Sequence, residues 1–309
     1  MSAPVAAPTT GGTFVAPLTV EEAVAALAAG GRIVAGGTDL VVGARQGKWP
    51  IPDALVSLHR MDALRGIRAG EAGGLVLGAL ARHDEIAAHP DVLARFTALA
   101  DASLIVGSAA TRHTGTIGGN LMNASPAAET TGPLICLGAV ITLVSSAGVR
   151  RLPVEELATG PGRTAARADE ILTAVEIPAP SPGSGSCYAR LEYRRQMEIA
   201  VVGATAAVTL VGDVITAARV AITALAPTVH RVPEAERALI GTDGGRGAAE
   251  VAAAAVAAAS RPIDDVRAPA DYRRAMAAVI ARRVILAAVA RARGEVVPVP
   301  ASDALHGAL

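Results

Sequence analysis

The chain has 309 residues, enough for two domains or one large one. Hydrophobic residues make up 51% and aromatics only 2%, so Ala, Val, Leu and Ile must pack a sizeable core. Basic and acidic residues balance at 28 each, which argues against the basic footprint a nucleic-acid partner needs.

Cys136 and Cys187 lie far apart, which gives no disulfide framework and no zinc or iron–sulfur spacing. Reduced, buried thiols in a cytoplasmic protein are expected. The opening MSAPVAAPTTGG lacks a charged n-region and a continuous apolar run, so no signal peptide is expected. The longest apolar stretch, around residues 251–259, is too short to span a bilayer, and a soluble protein is expected.

In chain order, TFVAP at 13–17 reads as a short strand. Thr19 with Glu22 three residues on reads as a capping box that opens a helix ending at Gly30-Gly31. RIVAGGTDL is a strand running into a glycine pair, and residues 54–58 form the next strand. This β-α-β alternation is that of a small α/β unit. LRGIRAGEAGGLVLGAL reads as two strands joined by a turn at 71–74. The stretch 83–103 is helical, with breaks at Pro90 and near Ser103. AVITLVSSAGVRRLPVEEL is a hairpin turning at Ala147-Gly148, and residues 171–177 form a strand closed by Pro178. APSPGSGS at 179–186 is all small or turn-forming, the best linker in the chain. Beyond it come three or four strands of period two, then helices over 248–260 and about 272–292. Strands followed by helices indicate α+β segregation.

Two stretches carry candidate chemistry. TRHTGTIGGNLMNASPAAE, 111–129, holds Gly115, Gly118 and Gly119 among threonines and asparagines. Glycine permits positive φ and close approach of the backbone to a ligand, and consecutive amides in such a turn can bind an anion. An irregular loop and an anion cradle both fit this stretch alone. VAGGTDL, 34–40, is a second Gly-Gly loop beside a hydroxyl, and together the two could embrace a pyrophosphate from both sides. Neither GxGxxG nor GxxxxGK[ST] occurs, so a Rossmann dinucleotide fold and a P-loop are not expected. Thr38-Asp39 also reads as a simple helix N-cap. His83 and His113 read as surface or structural histidines, since a catalytic base needs a placed partner. Cys136, within LICLGAV, reads as a small buried hydrophobe.

VAGGTDLVV at 34–42, TGTIGGNLMNASPAAE at 114–129 and DEILTAVEIP at 169–178 match in order and spacing. Through them the chain resembles the FAD-binding medium subunit of the molybdenum hydroxylases, the xanthine dehydrogenase and carbon monoxide dehydrogenase group. The resemblance covers residues 13 to about 292. It implies an α+β fold: a two-lobed FAD-binding domain of the PCMH/vanillyl-alcohol-oxidase-like type, then a smaller α+β domain with a three- or four-stranded antiparallel sheet and helices. The implied divisions are a flexible N-terminus (1–12), lobe 1 (13–62), lobe 2 (63–178), the linker (179–186), the C-terminal domain (187–294) and a tail (295–309).

By the same resemblance, Ala35, Gly36, Gly37, Thr38 and Asp39 would wrap the FAD pyrophosphate. Thr116, Ile117, Gly118, Gly119 and Asn120 would do so from the other side, with Thr111 and Gly115 leading in. Glu129 stands where the family usually has an aspartate directed to the ribose or adenine side. The backbone of Leu172 would lie along the adenine or flavin. Arg190 would face the flavin pyrimidine ring and stabilise negative charge there, with Tyr193 and Arg194 as weaker candidates. FAD would be non-covalent, because the loop has neither the His nor the Cys that tethers flavin in related oxidases. A small iron–sulfur subunit with [2Fe-2S] clusters and a large molybdopterin subunit would complete a heterotrimer, single or doubled. Electrons would leave this chain for NAD or another acceptor, and no side chain would be catalytic. A self-contained FAD-dependent oxidoreductase of the same fold and a flavin-free assembly module are the other two readings. No sequence feature names the substrate.

Overall fold

The computed structural model describes residues 12–302. The expected flexible N-terminus and the end of the expected tail, from 303, lie outside these residues apart from Gly12. The strands are β1 (Thr13–Val15), β2 (Arg32–Val34), β3 (Ala54–Ser57), β4 (Ile67–Ala69), β5 (Leu75–Gly78), β6 (Val140–Ser145), β7 (Gly148–Pro153), β8 (Ala158–Gly160), β9 (Arg163–Thr164), β10 (Ile171–Ile177), β11 (Ser184–Leu191), β12 (Val202–Val211), β13 (Val214–Thr223) and β14 (His230–Arg231). The helices are α1 (Val20–Ala28), α2 (Leu40–Arg45), α3 (His83–Ala88), α4 (Pro90–Arg95), α5 (Thr97–Ile105), α6 (Ala109–Arg112), α7 (Ile117–Met122), α8 (Thr131–Cys136), α9 (Pro233–Leu239), α10 (Arg246–Ala259) and α11 (Ala270–Ala292).

Lobe 1 is a parallel sheet of order β1-β3-β2, with α1 and α2 as its crossovers. The Thr19 hydroxyl accepts from Glu22 N at 3.2 Å. The Glu22 carboxylate accepts from Leu18 N at 2.7 Å, so the expected box closes one residue early. Such a cap stabilises a helix start by about 1 kcal/mol. Ala23, Val24 and Leu27 of α1 are buried with Val56 of β3 and with Leu80 and Ile171 of lobe 2, so the two lobes share this small core.

Lobe 2 carries an antiparallel sheet of order β4-β5-β10-β6-β7. The 83–105 segment breaks at His89/Pro90, as expected, and again at Phe96, and its last helix ends at Ile105, two residues past the expected break near Ser103. Phe96 leaves helical φ/ψ because its ring is wholly buried in the lobe 2 core. Packing, rather than propensity, sets that break.

The C-terminal domain is a four-stranded antiparallel sheet of order β11-β12-β13-β14. The expected linker is shorter than read, because Ser184 and Ser186 already belong to β11. α11 lies against β11 and β12 on one face, while α5 and α8 reach them from lobe 2. Burial along β12 is therefore almost continuous rather than alternating, as expected when both faces of a strand are covered. With few aromatics, the elements approach backbone to backbone. A Cβ on Gly185 would stand 2.2 Å from the Ala288 carbonyl oxygen of α11.

A buried clasp joins the domains. Asp101 of α5 is 0% exposed and accepts from Arg291 of α11, from Tyr188 N of β11 and from Ala301 N. Ala301 and Ser302 are buried too, so the part of the expected tail that is described folds back onto the body. No helix of the described residues is long and apolar enough to cross a membrane. Cys136 and Cys187 are both free and buried, and burial raises both thiol pKa values.

Candidate cofactor site

The two glycine stretches meet. β2 ends at Val34, and the chain passes through Ala35, Gly36, Gly37 and Thr38, all half-buried, to Asp39 at the head of α2. A Cβ on Gly36 would stand 2.0 Å from the Thr114 carbonyl oxygen and 3.2 Å from Gly115 Cα. Only glycine lets the first loop cross the second this closely. Gly37 adopts φ +69°, which turns the chain into α2.

Among the described residues, no backbone or side-chain acceptor engages the amide N–H groups of residues 35–39. Residues 35–38 are half-buried and Asp39 heads α2, so these five donors are open to water or to a ligand. Asp39 occupies the N-cap position of α2, as the sequence suggested, but its side chain makes no cap hydrogen bond. Its carboxyl pKa is raised by burial of its surroundings, and Lys48 opposes that rise. A carboxylate repels a phosphoryl group, so the backbone of Asp39 suits an anion and its side chain does not.

The second stretch is built differently from the open loop that was expected. Residues 117–122 form α7, capped by the Thr116 hydroxyl accepting from Gly119 N at 3.1 Å. Ile117 N donates to Ala81 O, Gly118 N to Ala79 O and Asn120 N to Thr116 O. Ile117 is a core residue, and a Cβ on Gly118 would lie 2.7 Å from Ala79 O. Gly115 N and Thr114 N are both taken by Thr111 O. The amides of residues 117–120 are thus consumed within the fold, and this wall can offer side chains instead. The Thr130 hydroxyl donates to Asn120 Oδ1 at 2.7 Å, which leaves the Asn120 NH₂ as a donor. Thr111 Oγ1 is 3.5 Å from Met197 Sδ, so this wall continues into the C-terminal domain.

Three expected residues lie deeper than expected. Leu172 sits in the lobe 2 core beside a β-bulge, and the bulge carbonyl, Thr173 O, accepts from Ala79 N. Glu129 is 5% exposed, and its carboxylate accepts from the Tyr188 hydroxyl and from Arg190 Nη1. Arg190 is 0% exposed and is also held by the Glu192 carboxylate and the Glu198 carbonyl. Arg190 therefore acts here as an ion-pair hub between lobe 2 and β11, and its guanidinium pKa rises beside Glu129 despite the opposing burial. Burial raises the Glu129 carboxyl pKa, and Arg190 opposes it. A longer acid than aspartate at 129 reaches this hub. Tyr193 and Arg194 are exposed.

Sequence reasoning passed over Thr130 and read His83 as a surface or structural histidine. The His83 ring packs at the crossing, its Cδ2 3.3 Å from where a Gly115 Cβ would stand. Only the tertiary pairing of His83 N with Gly115 O brings it there, and no local pattern signals that. A separate crevice of about 330 Å³, lined by α1 and the end of β6, includes none of the glycine-loop residues. Among the described residues no group of His, Cys, Asp and Glu could hold a metal ion.

Unpaired amides at a close glycine crossing between the two lobes, without the glycine fingerprint of a Rossmann fold, are an arrangement that could receive a phosphate-bearing ligand. Comparison with known proteins makes the family specific. Residues 9–180 match the family described as the FAD binding domain in molybdopterin dehydrogenase, and residues 187–288 match the CO dehydrogenase flavoprotein C-terminal domain. The carbon monoxide dehydrogenase medium chain of Afipia carboxidovorans is 32% identical over 280 residues, covering 90% of this chain and 96% of that relative. A chain of the Hydrogenophaga pseudoflava carbon monoxide dehydrogenase structure superposes with a TM-score of 0.87 at 31% identity, covering 91% of this chain and 98% of that one. A chain of quinoline 2-oxidoreductase from Pseudomonas putida 86 gives 0.85 at 30% identity, with the same coverage. The chain belongs to the FAD-binding medium subunits of the molybdenum hydroxylases, and it is an oxidoreductase flavoprotein subunit.

Proposed function

We propose that this chain is the electron-transfer subunit of a molybdenum-containing dehydrogenase. It carries FAD that takes electrons from [2Fe-2S] clusters on a small partner subunit and passes them to an external acceptor, in a cytoplasmic heterotrimer completed by a large molybdopterin subunit. The observation that carries the reading is the run of unpaired amides at residues 35–39, held against the second glycine stretch. Backbone N–H groups converging on one point suit a pyrophosphate without drawing on cations. Asn120, oriented by Thr130, and Thr38 supply side-chain donors at the same crossing, and Thr111, Gly115 and Thr116 shape it. Ile117, Gly118, Gly119 and Leu172 hold the frame from behind, and Glu129 and Arg190 fasten the C-terminal domain over it.

The chemistry a bound flavin supplies is uptake of electrons from one centre and their release to another. The chain's own residues bind, orient and enclose it. The division into lobes at 13–62 and 63–178, a linker near 179–186 and a domain at 187–294 fits this task, because the cradle lies where the lobes meet. Relatives named for carbon monoxide and for quinoline share this architecture. The substrate is therefore best sought on the large subunit, and NAD is one acceptor to test.

The test is affinity purification of the tagged chain from its native host. The expected result is a complex of three kinds of subunit with FAD, iron, sulfide and molybdenum, whose flavin absorbance bleaches on adding the substrate. An isolated yellow chain that oxidises a substrate unaided would contradict the reading and favour a self-contained oxidoreductase.

A further inference from the structure

We infer that His83 is a cofactor-binding residue, a neutral imidazole whose Nε2–H donates to the pyrophosphate–ribose part of FAD at the loop crossing. This inference rests on the FAD reading above. His83 is 2% exposed, sealed beneath the point where the two glycine stretches meet. Around the position a Gly115 Cβ would occupy stand Thr111 O at 3.0 Å, His83 Cδ2 at 3.3 Å and Thr38 Oγ1 at 3.6 Å. Cδ2 is bonded to Nε2, so Nε2 lies one bond from the ring atom that meets the crossing.

The two ring nitrogens differ. Nδ1 is buried with no hydrogen-bond partner. Nε2 makes no protein hydrogen bond among the described residues and is not sealed in the same way. A neutral imidazole carries one N–H and one bare nitrogen. An orphaned buried N–H is rarer than an under-satisfied acceptor, so the proton belongs on Nε2. The ring is neutral because burial pulls its pKa down to about 4, with Asp84 opposing and Arg112 adding to the fall. A buried polar ring with no protein partner calls for an explanation. A ligand arriving at the Nε2 edge provides one, and it adds a donor without placing a second carboxylate or a mobile cation beside the phosphates.

The test uses the full-length chain as wild type, His83→Leu and His83→Gln. FAD affinity is measured by fluorescence titration, and each protein is also melted without FAD. Leu fills similar space and has no N–H, whereas Gln places an amide N–H near the Nε2 position. The expected result is a Kd raised about five- to tenfold in H83L, the loss of one neutral hydrogen bond. H83Q should stay within about twofold, and the FAD-free Tm of H83L should be equal to or above wild type, because an unsatisfied polar group has been removed. Wild-type affinity in H83L would overturn the His83 assignment while leaving the FAD reading intact. Equal weakening in both variants together with lower FAD-free Tm values would overturn it in favour of a packing role. Failure of the wild type itself to bind FAD would overturn the FAD reading, and the assignment with it.

Discussion

Gly36→Ala is the smallest perturbation of the crossing. The added methyl would stand 2.0 Å from Thr114 O and 2.8 Å from Thr114 C. Ordinary van der Waals contact begins at 3.4 Å, so the carbonyl oxygen is too close by about 1.4 Å. Both atoms are backbone, and no side-chain rotation relieves the clash. The two stretches must move apart by a distance comparable to the tolerance of a hydrogen bond. Overpacking of this kind costs about 1–3 kcal/mol. Expressed in binding, that is a rise in FAD Kd of about five- to 150-fold. Gly247→Ala is the control: it lies in α10 with nothing within 4 Å of its Cβ position, and it should be neutral or stabilising by up to about 1 kcal/mol. Fluorescence titration with FAD and melting without it separate the two effects. A G36A protein with wild-type FAD affinity would refute the crossing as the cofactor cradle.

Three further outcomes follow from the buried polar groups. Glu129→Gln removes a carboxylate from the wholly buried Arg190 and should destabilise the FAD-free protein by about 3–5 kcal/mol, read as a lower urea midpoint; an unchanged midpoint would remove the hub from the account. Asp101→Ala strands Arg291 and frees Ala301 N. It should speed proteolysis at residues 295–302, visible by mass spectrometry, and an unaltered cleavage pattern would mean that the clasp does not secure the tail. His83 has a folded-state pKa of about 4 against an ordinary 6.5, so the unfolded chain binds the extra proton first. Protonation of the unfolded chain therefore lowers stability by up to about 3 kcal/mol as pH falls from 6.5 towards 4, and has no effect above that range. Urea titrations at pH 7 and pH 5 should show that loss in the wild type and much less of it in H83L; parallel losses would contradict the assigned shift.

Much of the fold was legible because its signals are local. The Thr19–Glu22 cap, the hairpin turning at Ala147-Gly148 and the strand closed by Pro178 each involve residues a few positions apart. The paired glycine motifs were legible in the same way, and the family resemblance they carry holds over residues 9–180 and 187–288. What the sequence hid depends on distant partners. Gly118 and Gly119 are poor helix formers, and they are helical here because Ala79 O and the Thr116 hydroxyl take their amides. Arg190 is expected by resemblance to face the flavin, and no local signal announces its ion pair with Glu129, 61 positions away in the chain. Phe96 ends a helix because the core takes its ring. His83 gains its place only when Gly115 pairs across from it.

Amide hydrogen exchange with and without FAD tests the central claim most directly. The unpaired amides of residues 35–39 should become strongly protected on adding FAD, while those of 117–120, already bonded within the fold, should change little. Exchange at 35–39 that is indifferent to FAD, with protection appearing only elsewhere, would contradict the cradle.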